Sequence, residues 1–241
     1  MDIDTIKKII QDFFQEGTVT IVGSGLSLAE GIPGMGELAK KLQMEIPGLL
    51  SATGDIKNWN NIENDLAKGV GLEEALHNTK PSSYVEECIR KVTAIYIGEA
   101  DKRLLTDIVK TGKQLRFSEY LQRFNIRNEG MTVITTNYDR LLEYACETNE
   151  IMADTLFVGK YIARFKPNQS KYASCIGVQR TNGKGKKLQY SPRVIILKPH
   201  GCLSWHLINS IPYSLPDYSI EDSLTWIIHG VAVKVAESHI V

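Results

Sequence analysis

The chain carries no surplus of charge. Lysine and arginine together number 28, and so do aspartate and glutamate, giving a formal net charge of zero. Proteins that hold nucleic acid or an anionic membrane by bulk electrostatics are usually basic, so this balance argues against both, although not against a local basic patch. No stretch reaches the roughly 18 uninterrupted apolar residues of a membrane-spanning helix. The N-terminus MDIDTIKKIIQDFF starts acidic and turns amphipathic. It lacks the basic start, apolar run and small-residue cleavage site of a secretory signal. Cysteine is scarce: Cys88, Cys146, Cys175 and Cys202 are the four, and no two stand in a C-x-x-C pair. That spacing argues against a zinc ribbon and against a metal site generally, and reads as reduced thiols of a cytoplasmic protein. Internal repeats, low-complexity tracts and Pro/Ser-rich linkers are also missing.

What is present fits a globular chain. The 241 residues are 43% hydrophobic and 23% charged, which suits a single domain over residues 1–241. Ile6, Ile9, Ile10, Phe13 and Phe14 recur at helical spacing, with Gly17 as a stop. Residues 18–22, TVTIV, form a β-branched run that predicts a buried strand. The following GSGLSLAEGIPG reads as a glycine-rich loop, and a helix from about Gly36 places Leu38 and Leu42 on one face. Residues from about 50 to 130 have helical patterns instead. Pro81 and Ser82 open a long helix with Val85, Ile89, Val92 and Tyr96 on one face, and a shorter helix covers Phe117 to Phe124.

Strand patterns return at Met131 to Thr136, at Leu156 to Gly159 and at Val194 to Lys198; Leu141, Leu142 and Ala145 form the inward face of a helix after the first. The basic segment Gln179 to Lys187 reads as a solvated hairpin tip in preference to a phosphate patch. Strands alternating with helices predict an α/β fold. The expectation is a Rossmann-like, mainly parallel sheet flanked by helices, with a helical insertion (about 50–130) between the first two motif-bearing strands.

In such sheets ligands bind at the carboxyl ends of the strands. Three strands end in conspicuous sequences. Gly23-Ser24-Gly25-Leu26-Ser27 follows the first. Its glycines allow a tight turn whose N–H groups face an anion, or simply a tight turn, and Gly31-Ile32-Pro33-Gly34 adds a second turn. It is not the dinucleotide fingerprint G-x-G-x-x-G, because position 28 is Leu. Thr135-Thr136-Asn137-Tyr138-Asp139 ends the second. Asn or Asp there would cap the next helix, but one cap needs one residue and a second polar side chain is left over. His200-Gly201 follows the last, where an imidazole is placed to take a proton from a sugar hydroxyl or water. His77, His206, His229 and His239 have no comparable setting. An anion-cradling turn, an amide with a carboxylate, and an imidazole together suit a ligand with a pyrophosphate and a ribose. A serine hydrolase is less natural, since no G-x-S-x-G elbow occurs.

These residues resemble a known family. GSGLSLAEGIPGM resembles the sirtuin-type glycine turn followed by G-I-P. TTNYD resembles the family's T-Q-N-x-D, with Thr136 where the deacetylases carry Gln, and KPHG resembles its K-x-H-G. The three stand in the family's order across roughly residues 17 to 205. The likeness is closer to the sirtuin-like domains of bacterial antiphage systems, such as the Thoeris effector and the defence proteins that work with HerA-type ATPases. The deacetylases carry a four-cysteine zinc ribbon after H-G, where this chain has Cys202 alone.

The resemblance implies an NAD+ glycohydrolase that cleaves the nicotinamide–ribose bond in antiviral defence by NAD+ depletion. Gly23, Ser24, Gly25 and Ser27, with Pro33 and Thr136, would bind the dinucleotide. Asn137 would orient the ribose or the attacking water, Asp139 would contact the nicotinamide amide or fix Asn137, and His200 would be the general base. The partners it implies are NAD+ and either further copies of the chain or an ATPase of the HerA type, with no membrane or direct nucleic-acid contact. A non-catalytic NAD or ADP-ribose sensor and an NAD-dependent deacylase are the alternatives. Family members usually continue into further strands that help bind the adenosine half. The sequence ends soon after SLTWIIHGVAVKVAESHIV, which predicts a sheet completed by a partner or a shortened product of a longer gene.

Overall fold

The computed structural model describes residues 2–12, 17–124, 130–180, 186–215 and 225–228. Helix α1 (Ile3–Asp12) precedes strand β1 (Val19–Val22). Six helices come next: α2 (Ser24–Ala29), α3 (Met35–Leu49), α4 (Thr53–Ala67), α5 (Leu72–Asn78), α6 (Ser83–Thr111) and α7 (Arg116–Leu121). Then come β2 (Met131–Thr135), α8 (Leu141–Glu147), β3 (Met152–Asp154), β4 (Phe157–Val158), β5 (Ala163–Phe165), α9 (Pro167–Ala173), β6 (Cys175–Arg180) and β7 (Lys186–Tyr190). The described chain closes with β8 (Arg193–Leu197), β9 (Gly201–Ile208), β10 (Ile211–Ser214) and β11 (Thr225–Ile228).

The fold is mixed α/β. Its parallel sheet has the order β1-β2-β8-β3, is flanked by helices and is broadly Rossmann-like. Strand register brings three loop segments together. Val22 pairs with Thr135, and Ile134 with Leu197. The carboxyl ends of β1, β2 and β8 therefore lie within a residue of one another, and the segments beginning at Gly23, Thr136 and Lys198 leave from one edge.

Two apolar clusters stabilise this arrangement. One joins Val133, Val194 and Ile196 of the sheet to Leu141, Leu142 and Ala145 of α8. The other joins Leu38, Leu42 and Ile46 of α3 to Trp59 and Ile62 of α4 and to Leu72 of α5. The 29-residue α6 belongs to both. Its Val85, Ile89 and Val92 pack in the helical cluster, while Ile97, Leu104 and Ile108 pack under the sheet. Ser82 caps its start by accepting from the Val85 amide, and its own hydroxyl donates to Asp55 at 2.6 Å. Gly112 ends it in the left-handed conformation, φ 67°, which a side chain would resist.

Several expectations need correction. β1 is an edge strand in the described structure: among the described residues it pairs only with β2, and Val19 and Ile21 are 52% and 80% exposed. Its apolar residues on both faces predicted burial, but one face alone is covered. The glycine-rich segment is not all loop, since Ser24 to Ala29 coil into α2 directly after the strand. The pattern at Leu156 to Gly159 yields the two-residue β4, antiparallel to β5; the fourth parallel strand is β3. The helix expected at Phe117 to Phe124 runs from Arg116 to Leu121. A five-stranded antiparallel sheet, β11-β9-β10-β5-β4, was not foreseen, whereas β6 and β7 pair antiparallel on either side of the segment expected as a hairpin tip. β9 is buried on both faces, so its alternation gave no period-two signal. Phe13 and Phe14, the tip of the basic turn, His229, His239 and most of the C-terminal segment lie outside the described residues. Among the described residues no helix is long and apolar enough to cross a membrane.

Candidate functional site

At the shared strand edge the three segments close around a small cavity of about 80 Å³. Ser24, Ser27 and Pro33 reach it from the first segment, Thr136, Asn137 and Asp139 from the second, and His200 from the third. Gly23 and Gly25 do not line it. They face an adjoining groove bounded by β1 and by Arg116, Phe117 and Tyr120.

Ser27 is the junction of the first two segments. It sits in the first turns of α2, which carries its side chain away from solvent and toward β2. Its hydroxyl donates to Asp139 Oδ2 at 2.7 Å and accepts from Asn137 Nδ2 at 2.7 Å. Asn137 Nδ2 also donates to the Gly23 carbonyl at 3.0 Å. Both contacts use the amide nitrogen, so Asn137 keeps Oδ1 as an acceptor with no partner among the described residues. The Asn137 backbone N–H in turn donates to Thr135 Oγ1. Asp139 has two tasks. Oδ2 holds Ser27, while Oδ1 accepts at 3.1 Å from the amide of Leu141, the first residue of α8. The start of α8 and the site thus share one carboxylate.

Beneath this layer lies a buried cation. Lys198, at the end of β8, is 3% exposed. Its ammonium donates to the Asp139 carbonyl oxygen and pairs with Glu143 of α8 at 3.0 Å. Burial alone would lower the Lys198 pKa, but Cys202, Glu143 and Asp139 around it outweigh that, and the net shift is upward. Glu143 is also raised, because burial dominates and Lys198 only partly opposes it. The two directions pull against each other, since the rise at Lys198 draws on a charged Glu143 whereas burial disfavours that charge; the contact at 3.0 Å supports the lysine's direction, a buried cation held by its acceptors. Burial likewise raises the Tyr138 phenol, whose backbone carbonyl accepts from the Leu203 amide.

Farther along, Asp101 of α6 is fully buried and gathers four donors. They are the Arg140 amide at 2.8 Å, Arg140 Nε at 3.0 Å, Arg140 Nη2 at 2.5 Å and the Tyr144 hydroxyl at 2.7 Å. This clamp fixes the chain immediately after Asp139. After Lys198, the turn to β9 closes with the Gly201 amide donating to the Lys198 carbonyl. Gly201 has φ 94°, a conformation that favours glycine and reverses the chain just past His200.

Sequence reasoning did not find the cavity's other wall. Met35 and Leu38 of α3, Glu73 of α5 and Ile97 of α6 line it. Glu73 stands in the acidic first turn of its helix, where a carboxylate reads as a partner of the helix dipole. Lys198 stood in the KPHG motif without a role of its own and Asp101 was not marked; both matter through burial. Among the described residues no group of three or more His, Cys, Asp or Glu is arranged to hold a metal ion.

A family model of the SIR2-like domain matches residues 131–237. The matched span contains β2 with the Asn137 and Asp139 segment, β8 and the His200 turn; the Gly23 segment lies outside it. SIR2-like domains are associated in general with NAD biochemistry, and the described geometry is compatible with that class. A comparison with curated proteins gives no match.

Proposed function

We propose that the protein is an NAD+ glycohydrolase of the sirtuin-like defence type. It takes NAD+ and water to nicotinamide and ADP-ribose. The observation that supports this reading is the meeting of Ser27, Asn137, Asp139 and His200 on one cavity at the carboxyl edge of a parallel sheet. Asn137 Oδ1, without a partner among the described residues, is an acceptor suited to a ribose hydroxyl or to the attacking water. His200 takes the proton of that water as it adds to the anomeric carbon, while the glycosidic bond electrons leave with nicotinamide. The transition state resembles an oxocarbenium ion, as in glycoside hydrolysis. Asp139 acts through Ser27, holding Asn137 in place. Ser24, Pro33 and Thr136 contact the dinucleotide within the cavity. Gly23 and Gly25 serve by turning the backbone close to the phosphates.

In this reading residues 1–241 are one cytoplasmic domain, residues about 50–130 are a helical insertion in it, and the biological role is antiviral depletion of NAD+. Regulation is by assembly, with further copies or an ATPase of the HerA type.

The test is nicotinamide release from NAD+ by the purified protein beside Asn137→Ala and His200→Ala. Loss of turnover of about a hundredfold or more in each is expected for residues that act in the transition state. Full activity in both variants removes them from the mechanism. Binding of NAD+ with intact dinucleotide recovered after long incubation would make the protein a sensor instead. Acyl loss from a peptide only when NAD+ is present would make it a deacylase.

A further inference from the structure

We infer that Glu73 selects a positively charged N-glycoside. This rests on the functional reading above and names the charge of the substrate half that enters the cavity. The lining residues include two carboxylates, Glu73 and Asp139, the imidazole of His200, and no lysine or arginine. Asp139 is already engaged on both oxygens, by Ser27 and by the Leu141 amide. Glu73 makes no hydrogen bond or ion pair among the described residues and stands exposed on α5, opposite the sheet edge that carries Asn137 and His200.

With Lys198 buried beneath Asp139 and no lysine or arginine lining the cavity, Glu73 is a carboxylate on the wall without a cation beside it, and it favours the entry of positive charge on that side. The oxidised nicotinamide ring is a cationic pyridinium, and its reduced form is neutral. Glu73 therefore draws the pyridinium riboside end inward, while the diphosphate stays toward the Ser24 turn. The same carboxylate discriminates against the reduced dinucleotide, which has the same shape and phosphate charge.

The experiment compares the wild-type protein with Glu73→Gln and with Glu74→Gln, a neighbouring exposed carboxylate that does not line the cavity. For each, the KM for NAD+ and the inhibition constant of NADH are measured at low and high salt. Glu73→Gln is expected to raise the KM for NAD+ about three- to fivefold, as befits a partly screened charge. The NADH constant should stay unchanged and the difference should shrink at high salt, with Glu74→Gln matching the wild type. An unchanged NAD+ to NADH ratio in Glu73→Gln overturns the inference, and so does equal weakening of both nucleotides. If the wild type releases no nicotinamide, the glycohydrolase reading fails, and calorimetric affinities for NAD+ and NADH decide Glu73 by the same ratio. Absence of binding to either overturns both.

Discussion

Replacing Asp101 with Ala removes the acceptor that fastens α6 to the chain beyond the candidate site. Four donors converge on this fully buried carboxylate, three from Arg140 and one from Tyr144. Hydrogen bonds to a charged group contribute ~1.5–3 kcal/mol each. Four of them do not sum, because they share one acceptor and one guanidinium. The closer guide is the removal of one partner from a buried ion pair, which costs about 3–5 kcal/mol because the other charge stays desolvated. The Arg140 side chain is 17% exposed and can recover part of its hydration, which places the expectation toward the lower end. Whole domains are stable by only ~5–15 kcal/mol, so this loss is large. Urea unfolding followed by far-UV circular dichroism measures it, with an unchanged m value as the check that the comparison is sound. Tyr144→Phe deletes one donor of the four and is expected to cost about 1–2 kcal/mol. If Asp101→Ala does not fold, the graded loss in Tyr144→Phe still measures the clamp. A stability within ~0.5 kcal/mol of wild type for both variants refutes the reasoning.

Three other outcomes are expected. Ser27→Ala breaks the link between Asp139 and Asn137 and should slow nicotinamide release about tenfold to a hundredfold through misalignment, measured as kcat beside the melting midpoint; unchanged kcat would show that Ser27 does not align the amide. Glu143 has a raised folded pKa, so its contribution to stability is fully present below the ordinary carboxylate pKa and is lost as pH rises through the folded value. Urea titrations at several pH values between 4 and 8 should therefore show the wild type losing stability relative to Glu143→Gln as pH rises, and a constant difference would contradict the shift. Alkylation with iodoacetamide under native conditions, read by mass spectrometry, should modify Cys175 well before the buried Cys88, Cys146 and Cys202.

The sheet was legible where strands are buried on two faces and rich in β-branched residues. Met131 to Thr136 and Val194 to Lys198 matched β2 and β8 within a residue. β1 reads the same way in sequence, yet lies at an edge, since composition does not reveal how many neighbours a strand has. The antiparallel sheet was invisible for a related reason: β9 is buried on both faces over its first six residues and β4 spans only two residues. Asn137, Asp139 and His200 stood out because polar residues directly after apolar strands are conspicuous, and the register of β1, β2 and β8 places their segments at one edge. Glu73 and Ile97 could not be found this way. They reach the cavity from helices distant in sequence, at positions whose local pattern is satisfied by a helix start or a core face.

The long helix α6 gives the cavity a divided construction. One wall belongs to the sheet, and the other rests on helices that pack among themselves, with α6 as the spine common to both. The outer helices, far from any reacting atom, are thus joined to the lining of the cavity through a single element, and Ile97 is the point at which that element reaches it.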